Sequence, residues 1–162
     1  MAARPATDLT SASSQGIFRS IELEYSMFSQ STEYALRAVI LLGLSGERCG
    51  GRAIAKELGI PANYLSKLLQ QMCRHRILES RKGWGGGYLL AKKPNQICIG
   101  DIVELFDGAT GPRDCILGKD RCTDEDPCPL HGYWKQIKGI HEVMTSKVTV
   151  ADLVQSAKLQ SR

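Results

Sequence analysis

Residues 51–90, GRAIAKELGIPANYLSKLLQQMCRHRILESRKGWGGGYLL, decide the fold. In residues 51–58, Ile54, Ala55 and Leu58 share one side of a short helix; Gly59 suits its C-terminal cap, Ile60 a buried turn, and Pro61 the first position of the next helix. That helix runs to about His75, with Tyr64, Leu65, Leu68, Leu69 and Met72 spaced at three and four. Two short helices joined by a glycine-containing turn, the second followed by basic residues, read as a helix-turn-helix whose second helix enters the major groove of double-stranded DNA. Ala62, Asn63, Ser66, Lys67 and Gln70 are then free to face DNA, with Arg74 among the basic residues that follow.

The end of the stretch separates this reading from an ordinary helical hairpin. Residues 77–90 read as strand, tight turn and strand: Ile77 and Leu78 lead in, Gly85, Gly86 and Gly87 permit positive φ, and Tyr88, Leu89 and Leu90 lead out. Arg81 and Lys82 stand at the tip beside Trp84, where a wing touches the DNA backbone and reaches toward the minor groove. A glycine-rich turn also suits phosphate, but this one lacks the Lys-Ser/Thr ending of a nucleotide-binding loop and opens no helix.

Upstream, the pattern turns helical at Ser31, which can cap, and Tyr34, Ala35, Ala38, Val39, Leu41 and Leu42 mark a broad apolar face that Gly43 and Gly46 weaken and end. Residues 1–26 show neither period nor the features of a secretory signal, and are expected to be a disordered extension or an upstream start that the cell does not use, with Met27 the alternative start. Downstream of the wing, Gly100 opens a helix over residues 101–107 with Ile102, Val103, Leu105 and Phe106 apolar. Leu130, Trp134, Ile137, Ile140 or His141, Met144 and Val148 then recur at three and four, predicting an amphipathic helix of roughly 18 residues. A short helix over residues 149–157 follows.

The fold class is therefore mainly α with a small β-wing. Residues 27–98 make a winged helix-turn-helix domain, 99–112 a connecting helix, 113–131 a ligand loop, and 129–158 the dimerisation and C-terminal helices. A long helix with one apolar stripe needs a partner surface, either its symmetry mate or the winged domain itself; the homodimer is preferred because two-fold symmetry matches a palindromic operator. Trp134, Ile137, His141 and Met144 are the candidate dimer contacts. The 162 residues carry +4 overall, and its distribution matters: seven bases against one acid over residues 63–93, eight acids against three bases over residues 101–128. No apolar run approaches a membrane span, and the expected location is the cytoplasm.

The ligand loop, CILGKDRCTDEDPCPLH over residues 115–131, gathers Cys115, Cys122, Cys128 and His131 with gaps of six, five and two residues. Thiolate and imidazole are ligands for iron–sulfur clusters and zinc, and Cys128 and His131 fall on one side of a helix's first turn. A disulfide with a spare thiol fits poorly with cytosolic redox poise, and zinc sites usually hold a tighter cysteine pair than this spacing provides. An enzyme is the competing class, through a hydrolytic zinc or a Cys122 nucleophile with His131 as base, but no oxyanion hole, substrate pocket or orienting third group is identifiable. Cys49, Cys73 and Cys98 read as ordinary small core residues, and the run Asp124, Glu125, Asp126 as a solvated turn that would also lower a neighbouring cluster's potential.

STEYALRA, AIAKELGIPANYLSKLLQQM, RKGWGGGYLL, IGDIVELFDG and the three loop cysteines, in that order over residues 27–155, resemble the Rrf-two family of bacterial regulators, with its IscR and NsrR types. The resemblance implies a homodimeric winged-helix transcription factor, a repressor by preference, whose operator binding is governed by an iron–sulfur redox, nitric oxide or iron–sulfur-status sensor. It implies Cys115, Cys122 and Cys128 as ligands, completed by His131 in a 2Fe-2S site as in the IscR type. As in the NsrR type, the alternative is Glu33 of the partner subunit in a 4Fe-4S site. His131 is preferred because it is local. The six-residue first gap is one longer than is common in either type. Some family members bind no cluster, which leaves a cluster-free or zinc-stabilised regulator as the alternative.

Overall fold

The computed structural model describes residues 27–83, 85–108, 115–117 and 123–160. The N-terminal stretch 1–26, Trp84, residues 109–114, loop residues 118–122, Cys122 among them, and residues 161–162 lie outside the described residues. Among the described residues six α-helices and one hairpin follow in order: α1 (Gln30–Ser45), α2 (Gly51–Leu58), α3 (Ala62–Arg74), β1 (Leu78–Arg81), β2 (Gly87–Leu90), α4 (Ile99–Asp107), α5 (His131–Lys147) and α6 (Val150–Gln160). The architecture is mainly helical with a two-stranded antiparallel wing, as the sequence predicts.

Helix α1 starts one residue before Ser31 because Ser29 caps it, its hydroxyl accepting the Thr32 N–H at 3.3 Å. Ser31 instead pairs its hydroxyl with Tyr64 at 2.7 Å, tying α1 to α3. Gly46, with φ 66°, ends the helix, while Gly43 lies within it and serves packing: a Cβ there would lie 2.6 Å from Val154 Cγ2, so the missing side chain admits α6. Ala35, Ala38, Val39 and Leu42 of α1 meet Ile54, Leu65, Leu69, Met72, Ile102, Val150 and Val154 in one core. At roughly 1.5–3 kcal/mol for each fully buried large aliphatic side chain, this cluster is what holds reader and C-terminal helix together.

Helix α4 begins at Ile99, two residues before the expected start at Asp101, because the Cys98 N–H donates to the Asp101 carboxylate at 3.3 Å in the first turn. The α5–α6 junction is bound to the same place by backbone: Ile99 N–H donates to Val148 O at 3.0 Å and Val150 N–H to Ile97 O at 2.9 Å.

Thr149 caps α6, donating its hydroxyl at 2.7 Å and its N–H at 2.8 Å to Asp152. These bonds hold the Asp152 carboxyl below its ordinary value. A depressed folded-state value means the stabilisation is complete above the unfolded one and is lost as pH falls through the folded one. Thr149→Ala is expected to cost about 1 kcal/mol at neutral pH. The difference in melting temperature between wild type and Asp152→Asn should shrink as pH is lowered below 3.8; a pH-independent difference would contradict the capping role.

Candidate nucleic-acid interface and ligand loop

On α3 the apolar positions Leu65, Leu68, Leu69 and Met72 are buried, and the opposite side is turned outward. Asn63, Lys67, Gln70 and Arg74 are exposed, at intervals of four, three and four that align them in one stripe, with Ser66 half-buried beside it. Cys73, on the side facing β1, is half-buried; burial pushes its thiol up, and a hydrogen bond with Ser80 partly offsets this.

The wing pairs Leu78 with Leu90 through Arg81 with Gly87. Arg81, Lys82 and Gly85 are exposed and Gly86 is half-buried. The glycines serve the hairpin's own backbone. A Cβ on Gly86 would lie 2.3 Å from Arg81 O, and one on Gly87 2.5 Å from Cys49 O. Cys49 is an edge of the wing: its N–H donates to Tyr88 O at 3.0 Å and its carbonyl accepts the Tyr88 N–H at 2.9 Å. Arg48 pairs with Glu79 on β1 and donates to Gly87 O at 3.5 Å on β2, strapping both strands to the α1–α2 connection. Sequence reading missed the Arg48–Cys49 edge; a lone two-residue pairing between glycines carries no strand period.

Of the ligand candidates, Cys115 is buried at 2% exposure and Cys128 is half-buried. Cys128 O accepts the His131 N–H at 2.9 Å in the turn that opens α5. The His131 ring is 11% exposed and its Nε2 lies 2.8 Å from Asp124 Oδ1, while Lys135 Nζ reaches the same carboxylate at 2.9 and 3.0 Å. These two partners, Lys135 first, hold the Asp124 carboxyl below its ordinary range. Glu33 is half-buried in the first turn of α1. Among the described residues no three Cys, His, Asp or Glu side chains converge as a metal site. The donor types suit an iron–sulfur cluster: two thiols, one sheltered from solvent, and an imidazole one helical turn from the second.

Helix α5 buries none of its residues fully. Trp134, His141 and Met144 are half-buried, His141 with its ring 6.2 Å from that of Phe28, and Ile137 is 45% exposed. A neighbouring row is more exposed: Tyr133 at 71%, Ile140 at 69% and Val143 at 59%. Sequence reading did not single out Tyr133 and Val143, because apolar residues on α5 occupy two adjacent rows and the period alone does not say which faces the chain's own core.

A cleft of about 670 Å³ between the end of α3 and α4 is lined by bases such as Arg74, Arg76 and Lys92 and by Asp101 and Glu104. No helix of the described residues is long and apolar enough to cross a membrane.

A recognition helix with one polar, basic stripe, backed by a strapped glycine hairpin, defines a winged helix-turn-helix regulator. Residues 28–156 match the model of the Rrf2 family, described as an iron-dependent transcriptional regulator, and the chain belongs to that family. An HTH-type transcriptional regulator of Aquifex aeolicus is 34% identical over 131 residues, covering 79% of this chain and 91% of that one. The regulator IscR of Cronobacter sakazakii is 28% identical over 130 residues, 78% of each chain. Among solved structures, the T. potens IscR is similar with a TM-score of 0.61 at 26% identity, over 80% of this chain and 86% of that one. CymR, the global cysteine regulator of B. subtilis, shares the fold with a TM-score of 0.69 at 21% identity, over 80% and 96%. The relatives are transcriptional regulators and not enzymes, and the chain is an IscR-like regulator of transcription.

Proposed function

We propose that the chain binds a palindromic operator in the cytoplasm as a homodimer, as a repressor, and that an iron–sulfur cluster in the 115–131 loop controls this binding. The observation that carries the reading is the placement of the loop. It joins α4, which packs on the reader core, to α5, whose exposed apolar row suits a second copy. Cys115, Cys128 and His131, with Cys122, would hold a 2Fe-2S cluster; with Glu33 of the partner subunit in place of His131 the set would suit 4Fe-4S. The cluster, when bound, supplies a redox-sensitive and destructible group. The chain supplies the transmission: Ile97, Ile99, Val148 and Val150 tie the far end of α5 to the start of α4, so a shift of the loop displaces α5 against the reader.

Anaerobic purification with a visible spectrum and iron, sulfide and zinc analysis tests this on wild type, His131→Ala and Glu33→Ala. A brown protein whose colour is bleached or shifted by one substitution supports the reading and names the fourth ligand; a colourless protein, with zinc or with no metal, overturns it.

On the DNA side, Arg81→Ala should weaken binding to every sequence and lower the salt slope by about one, whereas Lys67→Ala and Ser66→Ala should change sequence preference, with a lost base contact costing about 1–3 kcal/mol. Binding curves over a salt series decide this, and DNA affinity unchanged in all three variants would count against the winged reader. For the dimer, Ile140→Asp should shift the protein toward monomer by at least tenfold in dissociation constant in sedimentation equilibrium, because a carboxylate replaces an exposed apolar contact. An unaltered dimer would place the interface elsewhere.

A further inference from the structure

The acidic run before α5 was expected to be a solvated turn, and one of its members is engaged. His131 and Lys135 stand one turn apart on α5, and both reach Asp124: Oδ1 is 2.8 Å from His131 Nε2 and 3.0 Å from Lys135 Nζ, and Oδ2 is 2.9 Å from Lys135 Nζ. With the His131 N–H to Cys128 O bond at 2.9 Å, this contact closes the segment from Asp124 to His131 into a loop that includes Cys128. An ionised carboxylate only accepts hydrogen bonds, so the imidazole nitrogen facing it carries the hydrogen, and in a neutral ring the other nitrogen then holds the lone pair.

We propose that Asp124 is a positioning residue for His131: it takes the Nε2 hydrogen, fixes the ring's tautomer and directs ligation through Nδ1, while Lys135 holds the carboxylate in place. The proposal rests on the cluster reading above and adds to it which nitrogen binds and what holds the ring. Imidazoles that bind metals commonly donate their second N–H to a carboxylate, and loss of that partner typically costs about 10–100-fold in metal affinity.

Two measurements test it. In the metal-free protein, ¹⁵N-resolved imidazole spectra should show His131 as the Nε2–H tautomer in wild type and as a mixture in Asp124→Ala; an Nδ1–H tautomer in wild type overturns the proposal. In anaerobically purified holoprotein, Asp124→Ala should retain iron at least tenfold less well against a chelator, with unchanged far-ultraviolet circular dichroism. Asp124→Asn should rescue part of the loss, since its amide oxygen still accepts the ring hydrogen, and Lys135→Met should have a smaller effect. Retention in Asp124→Ala equal to or better than wild type overturns the proposal and makes Asp124 a bystander or a competitor for the ring. A wild type without iron and sulfide overturns the cluster reading and this proposal with it, whereas a loaded wild type with an indifferent Asp124→Ala sinks the proposal alone.

Discussion

Gly87→Ala is expected to lose more than tenfold in DNA affinity and roughly 10 °C in melting temperature, although no DNA-facing side chain is altered. Gly87 has φ 146°, a conformation that L-residues rarely adopt, and a Cβ on it would stand 2.5 Å from Cys49 O, 2.7 Å from Cys49 C and 3.1 Å from Gly50 N. All three atoms are backbone, so no rotamer change can make room. Backbone strain of this kind costs on the order of 1–3 kcal/mol before the clash is counted, and about 3 kcal/mol corresponds to roughly 10 °C in a domain of this size. The relief available is to break the two Cys49–Tyr88 hydrogen bonds, which releases the wing, and with it Arg81 and Lys82, from the α1–α2 connection. Thermal melts and operator binding check this, and wild-type affinity in Gly87→Ala would show that the wing's attachment does not matter to the reader. Gly46→Ala is the control, since it too has positive φ but nothing lies within 4 Å of its Cβ position.

If the proposed cluster is held by the 115–131 loop, Cys115→Ala is expected to abolish iron and sulfide binding outright and to leave a protein whose operator affinity no longer responds to anaerobic cluster loading. Cys115 is buried at 2%, so its thiolate would be better protected from oxidant and solvent than that of half-buried Cys128, and a cluster missing one thiolate has no equivalent donor to take its place. The stability cost to the metal-free protein should be modest, about 1 kcal/mol for removing one small buried group. Iron and sulfide analysis of Cys115→Ala, beside Cys98→Ala as a half-buried cysteine outside the loop, checks the prediction. Full iron content in Cys115→Ala would remove that residue from the ligand set.

The reader was legible in the sequence because its signals are local. Gly59 and Pro61 punctuate two helices, the three-and-four spacing from Tyr64 to Met72 defines a buried face, and the glycine run admits only a turn. What was not legible depends on partners distant in the chain. Ser29 rather than Ser31 caps α1 because Ser31 is taken up by Tyr64, and Gly43 sits mid-helix because Val154 arrives from α6. The ligand candidates were singled out by residue type and spacing, whereas the Asp124 contact was invisible, since three consecutive acids carry no sign of which one folds back on α5.

The docking of α6 on α1 also sets an order of events during synthesis. About 115 residues separate the end of α1 from the end of α6, a delay of roughly 6–23 s at ordinary translation rates. For that time Gly43 and its neighbours lack the Val150 and Val154 side chains that cover them. A nascent chain therefore carries its recognition helix before it can hold that helix steady, and a chain terminated early would be a substrate for proteases rather than a stray occupant of operators.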